Sequence, residues 1–189
     1  MEAYLIGALF CVSALLVFLW ARHYLFRRVA DFRGSYLSRA GSISGVATVV
    51  NAIVSSREIL PVHALIVTLL ALGSVLFFFA SIRAHSGRVP AVALGGGNPE
   101  VLTTNGPYAI VRHPVYFAYM LNWFASALLC ANLVAVVVLL VMCLLYWYVA
   151  TDEERQILKT GLAADYEVYQ RRVPMLIPLW GFSLNNRIK

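Results

Sequence analysis

Charge is scarce in this chain and, over one long stretch, absent. Only 13% of its 189 residues are charged, against 61% that are hydrophobic, and no Asp, Glu, Lys or Arg lies between His113 and Thr151. Soluble globular domains carry about a quarter charged residues and about half apolar ones, so that class is excluded. Cysteine is sparse too. Cys11, Cys130 and Cys143 all fall in apolar segments, with no CxxC pair and no His/Cys spacing suited to zinc. They read as small packing residues, and no metal site is expected. A basic stripe interleaved with aromatics is also missing, so the net charge of +6 does not describe a nucleic-acid interface. It fits loop charge on a membrane protein, which excludes nucleic acid as the expected partner. The first apolar block is preceded by Glu2 alone, whereas a cleavable signal peptide wants positive charge there and a small-residue cleavage site after it.

The chain does contain apolar blocks long enough to cross a hydrocarbon core of about 30 Å. Four segments predict spanning helices: 4–21, 60–82, 115–130 and 133–150. The last two divide the uncharged run, which is too long for one crossing of about 20 residues, at a tight turn through Cys130, Ala131 and Asn132. A fifth segment, 42–56, is shorter, contains Asn51 and has Gly41 and Gly45 near its start. Charge placement argues that it crosses. Arg22, Arg27, Arg28, Arg33 and Arg39 follow the first span; Arg83, Arg88 and Arg112 lie in the loop 83–114; Arg155, Lys159, Arg171, Arg172, Arg187 and Lys189 lie in the tail. All three regions are cytoplasmic, as positive charge requires, only with five crossings and the N-terminus outside. The expected fold is an all-α integral membrane domain over 1–189. Three N-terminal spans fill 1–82, a cytoplasmic cofactor loop 83–114, a helical hairpin 115–150 and a cytoplasmic tail 151–189.

The loop carries Ser86-Gly87-Arg88-Val89-Pro90 and Gly95-Gly96-Gly97-Asn98-Pro99, a composition without regular structure of its own. A triple glycine suits either a flexible connector or close approach of backbone to a ligand. In the tail, 151–172 predicts an amphipathic helix with Ile157, Leu158, Leu162, Tyr166 and Tyr169 on one face, and Gly161 marks a bend. Thr151 and Glu154 have capping-box spacing, which would start a new helix there. Pro174 and Pro178 end regular helix, leaving 173–180 as an apolar segment with Trp180 at the interface.

Chemistry concentrates in Gly106-Pro107-Tyr108-Ala109-Ile110-Val111-Arg112-His113-Pro114-Val115-Tyr116, at the lip of the uncharged run. Pro114 suits the first turn of a helix, whose free N–H groups and positive dipole end would receive a ligand carboxylate. Interfacial anchoring by snorkelling Arg, His and Tyr fits the same residues. Downstream, Asp152-Glu153-Glu154 offers acids either as first-turn residues of a new helix or as partners for a cationic ligand.

The order of these features resembles the isoprenylcysteine carboxyl methyltransferase family of integral-membrane enzymes. The series is a Gly-Pro-Tyr turn, Arg112-His113-Pro114-Val115-Tyr116, an uncharged hairpin, a paired acid, and Tyr166-Glu167-Val168-Tyr169-Gln170-Arg171-Arg172-Val173-Pro174. The likeness covers roughly 100–178. It implies S-adenosylmethionine as cofactor, held by Glu100, Val101, Leu102, Thr103, Tyr108, His113, Pro114, Val115, Tyr116 and Glu154, with Arg112, His113 and Glu154 at the reacting centre. It also implies a lipophilic acceptor entering from the bilayer among membrane lipids, with carboxyl O-methylation the expected reaction. Phospholipid N-methylation is an alternative, and an NADPH-dependent sterol-reductase-like enzyme a more distant one. Ala118 stands where that family has glycine. Ala150 stands where its prenylcysteine members carry an acceptor-binding arginine, so the acceptor's identity is left open.

Overall fold

The computed structural model describes residues 2–25, 32–55, 58–84 and 102–178, and side chains outside 21–39. All regular structure among them is helical: α1 (Glu2–Leu25), α2 (Phe32–Val54), α3 (Pro61–Ala84), a single 3₁₀ turn (Gly106–Ala109), α4 (Pro114–Cys130), α5 (Leu133–Ile157) and α6 (Ala163–Arg172). Three helices are long and apolar enough to cross a membrane: α1 over Glu2–Trp20, α3 and α5. The apolar part of α2, Ala40–Val54, and the whole of α4 are shorter. At 1.5 Å per residue, the 17 residues of α4 reach about 25 Å, a little under the thickness of the hydrocarbon core. Three crossings therefore stand on length and composition, where the sequence predicts five.

The short helix is the central one. α4 packs against α1, α2, α3 and α5, and most of its residues are buried. Small side chains allow this. Ala118 and Ala125 on α4, and Ala71, Ser74 and Ser81 on α3, are buried and let the helix backbones approach closely. Ser74 and Ser81 return their hydroxyl protons to carbonyls of their own helix, at Ala71 and Phe77, so neither leaves an unmet donor in the core. Outward faces carry Leu5, Leu9, Leu65, Leu69, Leu140 and Leu144, all exposed. Such a surface has its solvent in lipid.

The hairpin turn falls where the sequence places it. Ala131 adopts φ 42°, ψ 48°, the left-handed region that ends a helix, and Asn132 caps α5 by accepting from the Ala135 N–H at 3.0 Å. Asn132 also pairs with Asn51 of α2, each amide donating to the other at 2.9 and 3.2 Å, and donates to Ser55 at 2.7 Å. This amide clasp anchors the segment whose crossing charge alone could suggest.

The second half of the hairpin differs from expectation. α5 does not stop at Ala150 but continues through Ile157, and Thr151 caps nothing. Its hydroxyl donates back to the Trp147 carbonyl, as a mid-helix threonine does. The tail helix is correspondingly shorter, beginning at Ala163 after a break that contains Gly161. Ile157, Tyr166 and Tyr169 still pack together with Leu158 and Leu162, but from two helices rather than one face. Beyond α6, Leu176 is buried in the main core with Met175 against it, so the tail's apolar end is part of the bundle. Trp180 and the glycine-rich stretch of the loop lie outside the described residues.

Candidate active site

The site is built where α4 begins, α5 ends and the tail returns. Gly106 opens the 3₁₀ turn at φ 59°, a conformation glycine takes without penalty. A Cβ there would meet only Ala84 at 3.5 Å, so conformation rather than space selects it. Pro107 follows in the first turn, and the Tyr108 carbonyl receives the Tyr169 hydroxyl at 2.6 Å. The chain then runs without regular structure to His113, with the Arg112 N–H donating to the Pro174 carbonyl at 2.9 Å and the His113 N–H to the Met175 carbonyl at 3.1 Å. Pro114 occupies the first turn of α4, and no side chain caps that helix start.

Arg112 binds four acceptors. Its Nε and one terminal nitrogen hold Glu154 at 2.8 and 3.1 Å, a bidentate pair. The other terminal nitrogen donates to the carbonyls of Gln170 at 3.1 Å and Val173 at 2.6 Å, a cation at the C-terminal end of α6. Glu154 takes two further contacts, from Gln170 Nε2 at 2.8 Å and His113 Nε2 at 3.1 Å. The other face of the His113 ring turns to the neighbouring acid, with Nδ1 3.5 Å from Glu153 Oε2. Tyr116, in the first turn of α4, donates its hydroxyl to Glu153 Oε1 at 2.5 Å.

His113 thus bridges two carboxylates. Burial alone would pull its pKa down, but the hydrogen bonds and negative charges of Glu153 and Glu154 outweigh that and raise it above its ordinary value. Burial pushes the phenols of Tyr108 and Tyr166 up, leaving both as neutral hydroxyls. Towards the membrane an aromatic stack continues from the ring of His113. Tyr116 lies parallel to it at 5.7 Å, Tyr146 parallel to Tyr116 at 5.5 Å, and Tyr119 tilted against Tyr146 at 5.7 Å. Trp123 Nε1 fixes the Tyr146 hydroxyl at 3.1 Å.

Among the residues singled out from sequence, Arg112, His113, Tyr116 and Glu154 meet in one hydrogen-bonded cluster. Pro114 and Val115 form the buried first turn beside it. Tyr108 stands one contact away through Tyr169, and Leu102 packs with Ile157, Tyr166 and Tyr169. Thr103 is in the irregular segment before the 3₁₀ turn, and Glu100 and Val101 lie outside the described residues. Sequence reasoning named Glu153 only as one of three acids and Gln170 only within the tail series, gave neither a role of its own, and passed over Tyr146. Glu153 carried a signal, because adjacent helix positions differ by about 100°, and two acids so placed can both face one groove. Among the described residues, no group of three or more His, Cys, Asp or Glu could hold a metal ion.

Comparison with known proteins adds an independent line. The profile of the family described as PEMT, phospholipid methyltransferase, matches residues 62–164, more than half of the chain. The Protein-S-isoprenylcysteine O-methyltransferase of Schizosaccharomyces pombe (strain 972 / ATCC 24843) is 28% identical over 110 residues, which are 58% of this chain and 47% of that protein. The chain therefore matches about half the length of that curated relative. No solved structure matches it.

Proposed function

The chain belongs to the phospholipid methyltransferase family, and from that premise we propose that it transfers a methyl group from S-adenosylmethionine to a lipophilic acceptor in the membrane. One observation carries the reading: a pair of buried carboxylates, Glu153 and Glu154, faces the uncapped start of α4 across His113. The chemistry of this set fits the donor, which bears a cationic sulfonium and ammonium, a carboxylate and an aromatic base. Glu154 offers negative charge to the cationic part, the first turn of α4 at Pro114, Val115 and Tyr116 suits the carboxylate, and Tyr108 and Tyr116 offer aromatic surface. Glu100, Val101, Leu102 and Thr103 would complete the donor site from the loop. When bound, the donor supplies an electrophilic methyl group.

The protein's own part is orientation and exclusion of water. Arg112 and Gln170 hold the Glu154 carboxylate in one geometry, and the returning tail places Pro174 and Met175 against the backbone of Arg112 and His113. Tyr116, Tyr119, Tyr146 and Trp123 form an apolar wall that continues towards the bilayer. Five crossings, with the N-terminus outside and the loop and tail cytoplasmic, put the donor site in reach of the cytosol. A lipophilic acceptor would enter along the α4–α5 hairpin from the lipid side.

Binding of S-adenosylhomocysteine to the purified chain in detergent tests the donor site, with Glu154→Ala and His113→Ala alongside. The expected result is binding by the wild type that weakens at least about tenfold in each variant, as loss of a charged contact does. Unchanged affinity in both variants would overturn the assignment.

A further inference from the structure

Helices α2 and α5 are fastened to each other at one end. Asn51 and Ser55 of α2 bond Asn132 at the head of α5, and Ala52 packs with Ala127, Cys130 and Ala135. α1 starts from the same joint, where Tyr4 donates to the Ala52 carbonyl at 2.6 Å, so α2, which follows α1, returns to the joint from the far end. Both α2 and α5 can therefore be measured from the joint towards the end of the bundle that holds Arg112 and Glu154. On α5 the first charge is Asp152, 20 residues beyond Asn132, or about 30 Å at 1.5 Å per residue. On α2, one unbroken helix, it is Arg39, 12 residues from Asn51, or about 18 Å. Charge thus comes about 12 Å nearer the joint on α2 than on α5.

Lipid meets both helices, since Ile43, Val46, Val50 and Ile53 on α2, and Leu140 and Leu144 on α5, are exposed. The apolar part of α2, Ala40–Val54, reaches only about 22 Å, against about 30 Å for a hydrocarbon core. Sliding the helix along its axis is prevented by the joint, and tilting it shortens its reach across the bilayer further. Two aromatic residues mark a shallow boundary independently. Trp147 and Tyr148 of α5 are exposed and lie 15 and 16 residues past Asn132, about 23 Å, and exposed Trp and Tyr belong at the headgroups. α3 is the contrast, with 22 residues, about 33 Å, free of Asp, Glu, Lys and Arg before Arg83. The bundle has a short flank at α2 and α5 and a long one at α3.

We propose that α2 thins the bilayer beside the bundle: phospholipid headgroups of the leaflet on the Arg112–Glu154 side dip along α2 to the level of Arg39, and the protein seats best in a thin bilayer. Only the crossing of α2 is carried over from the proposed function; methyl transfer is not needed. An arginine deep in hydrocarbon is strongly disfavoured, and local thinning of the bilayer relieves it. A phosphate is the partner a guanidinium takes up at that boundary. A short helix held by a packed joint deforms the lipid rather than moving itself. On α5 the level of Arg39 is the turn that begins at Leu144 and carries Trp147, so headgroups drawn in there lie abreast of the same turn as Tyr146.

The test is lipid competition on the full chain in phosphatidylcholine vesicles, with myristoleoyl, oleoyl or erucoyl chains each competed against a brominated oleoyl lipid. Bromine quenches tryptophan from the lipid side. A Trp20→Phe, Trp180→Phe background leaves exposed Trp147 as the reporter of the short flank, beside buried Trp123. The myristoleoyl lipid is expected to cover this flank at least about threefold better than the oleoyl lipid. Arg39→Leu moves the first charge of α2 six residues away, to Arg33, about 9 Å further from the joint, and should shift the preference to the oleoyl lipid. Arg33→Leu removes the same charge but leaves Arg39, and should keep the original preference within about twofold. A background protein that favours oleoyl or erucoyl lipid, or shows no preference, overturns the proposal whether or not the variants fold. Equal shifts in the two variants, or none in Arg39→Leu, also overturn it, because position rather than net charge is what α2 contributes. The crossing is read separately, from an epitope inserted between Arg28 and Val29 in sealed vesicles. Reached from the same side as the C-terminus, it supports the crossing; reached from the opposite side, it refutes the crossing itself.

Discussion

The two ends of the α4–α5 hairpin are both polar clasps, and they close differently. At the turn, Asn51, Ser55 and Asn132 exchange neutral hydrogen bonds, with the two amides reciprocally paired. At the open end, two carboxylates share a histidine, and the one fixed cation, Arg112, pairs with Glu154. The amide clasp needs nothing else to be complete. The charged cluster holds more acceptor capacity than its own donors fill, and the excess falls on Glu153. A structure that wanted only to fasten helices could have used amides twice. The unequal pairing therefore sets the joint apart from the candidate site.

Removing Arg112 should be the most damaging way to probe this contrast. Arg112→Ala leaves Glu154 buried without its main partner and frees the carbonyls at the end of α6, and breaking such a pair costs about 3–5 kcal/mol. Thermal unfolding in detergent should show that loss, with the tail becoming sensitive to protease. Arg112→Lys should recover little, since an ammonium cannot make the bidentate contact. At the other end, Asn132→Ala should cost about 1–2 kcal/mol, from the lost cap and interhelical hydrogen bonds averaging about 0.6 kcal/mol each. S-adenosylhomocysteine affinity should not change. Equal losses at the two ends, or a donor-affinity change with Asn132→Ala, would erase the distinction.

The gentlest probe is pH. Because the folded-state pKa of His113 is raised, its stabilisation is whole below the ordinary histidine value near 6.5 and is lost as pH climbs through the folded-state value. Melting temperature should fall over that rise in the wild type. His113→Gln should flatten that contribution, whereas Asn132→Ala should leave it intact, as the amide clasp holds no titrating group.

Much of this arrangement was legible in sequence. The uncharged run 114–150 declared a hairpin, and Cys130-Ala131-Asn132 marked its turn, because apolar length and cap chemistry are local properties. The extension of α5 to Ile157 was hidden for a physical reason. Three acids at a helix C-terminus oppose its dipole, which made a new helix at Thr151 look preferable. What reverses the balance is Arg112 and His113, about 40 residues earlier in the chain. No local rule could supply them. The part played by Gln170, named only within the tail series, was similarly hidden, as its value lies in facing Glu154 across the break between α5 and α6. The anchoring of α2 was not readable, since Asn51 weakened its apolar pattern while providing the contact with Asn132.

The two backbone hydrogen bonds from Arg112 and His113 to Pro174 and Met175 also bear on the order of assembly. During synthesis the α4 start leaves the ribosome about 60 residues before the segment that completes it. Until that segment arrives, Arg112 lacks the carbonyls of Gln170 and Val173, and Glu154 lacks the Gln170 amide. A nascent chain already threaded through the bilayer would thus lack the finished candidate site until this returning segment is made. Tail folding would then serve as a built-in check that the polypeptide has been translated at least to Leu176 before it can modify anything.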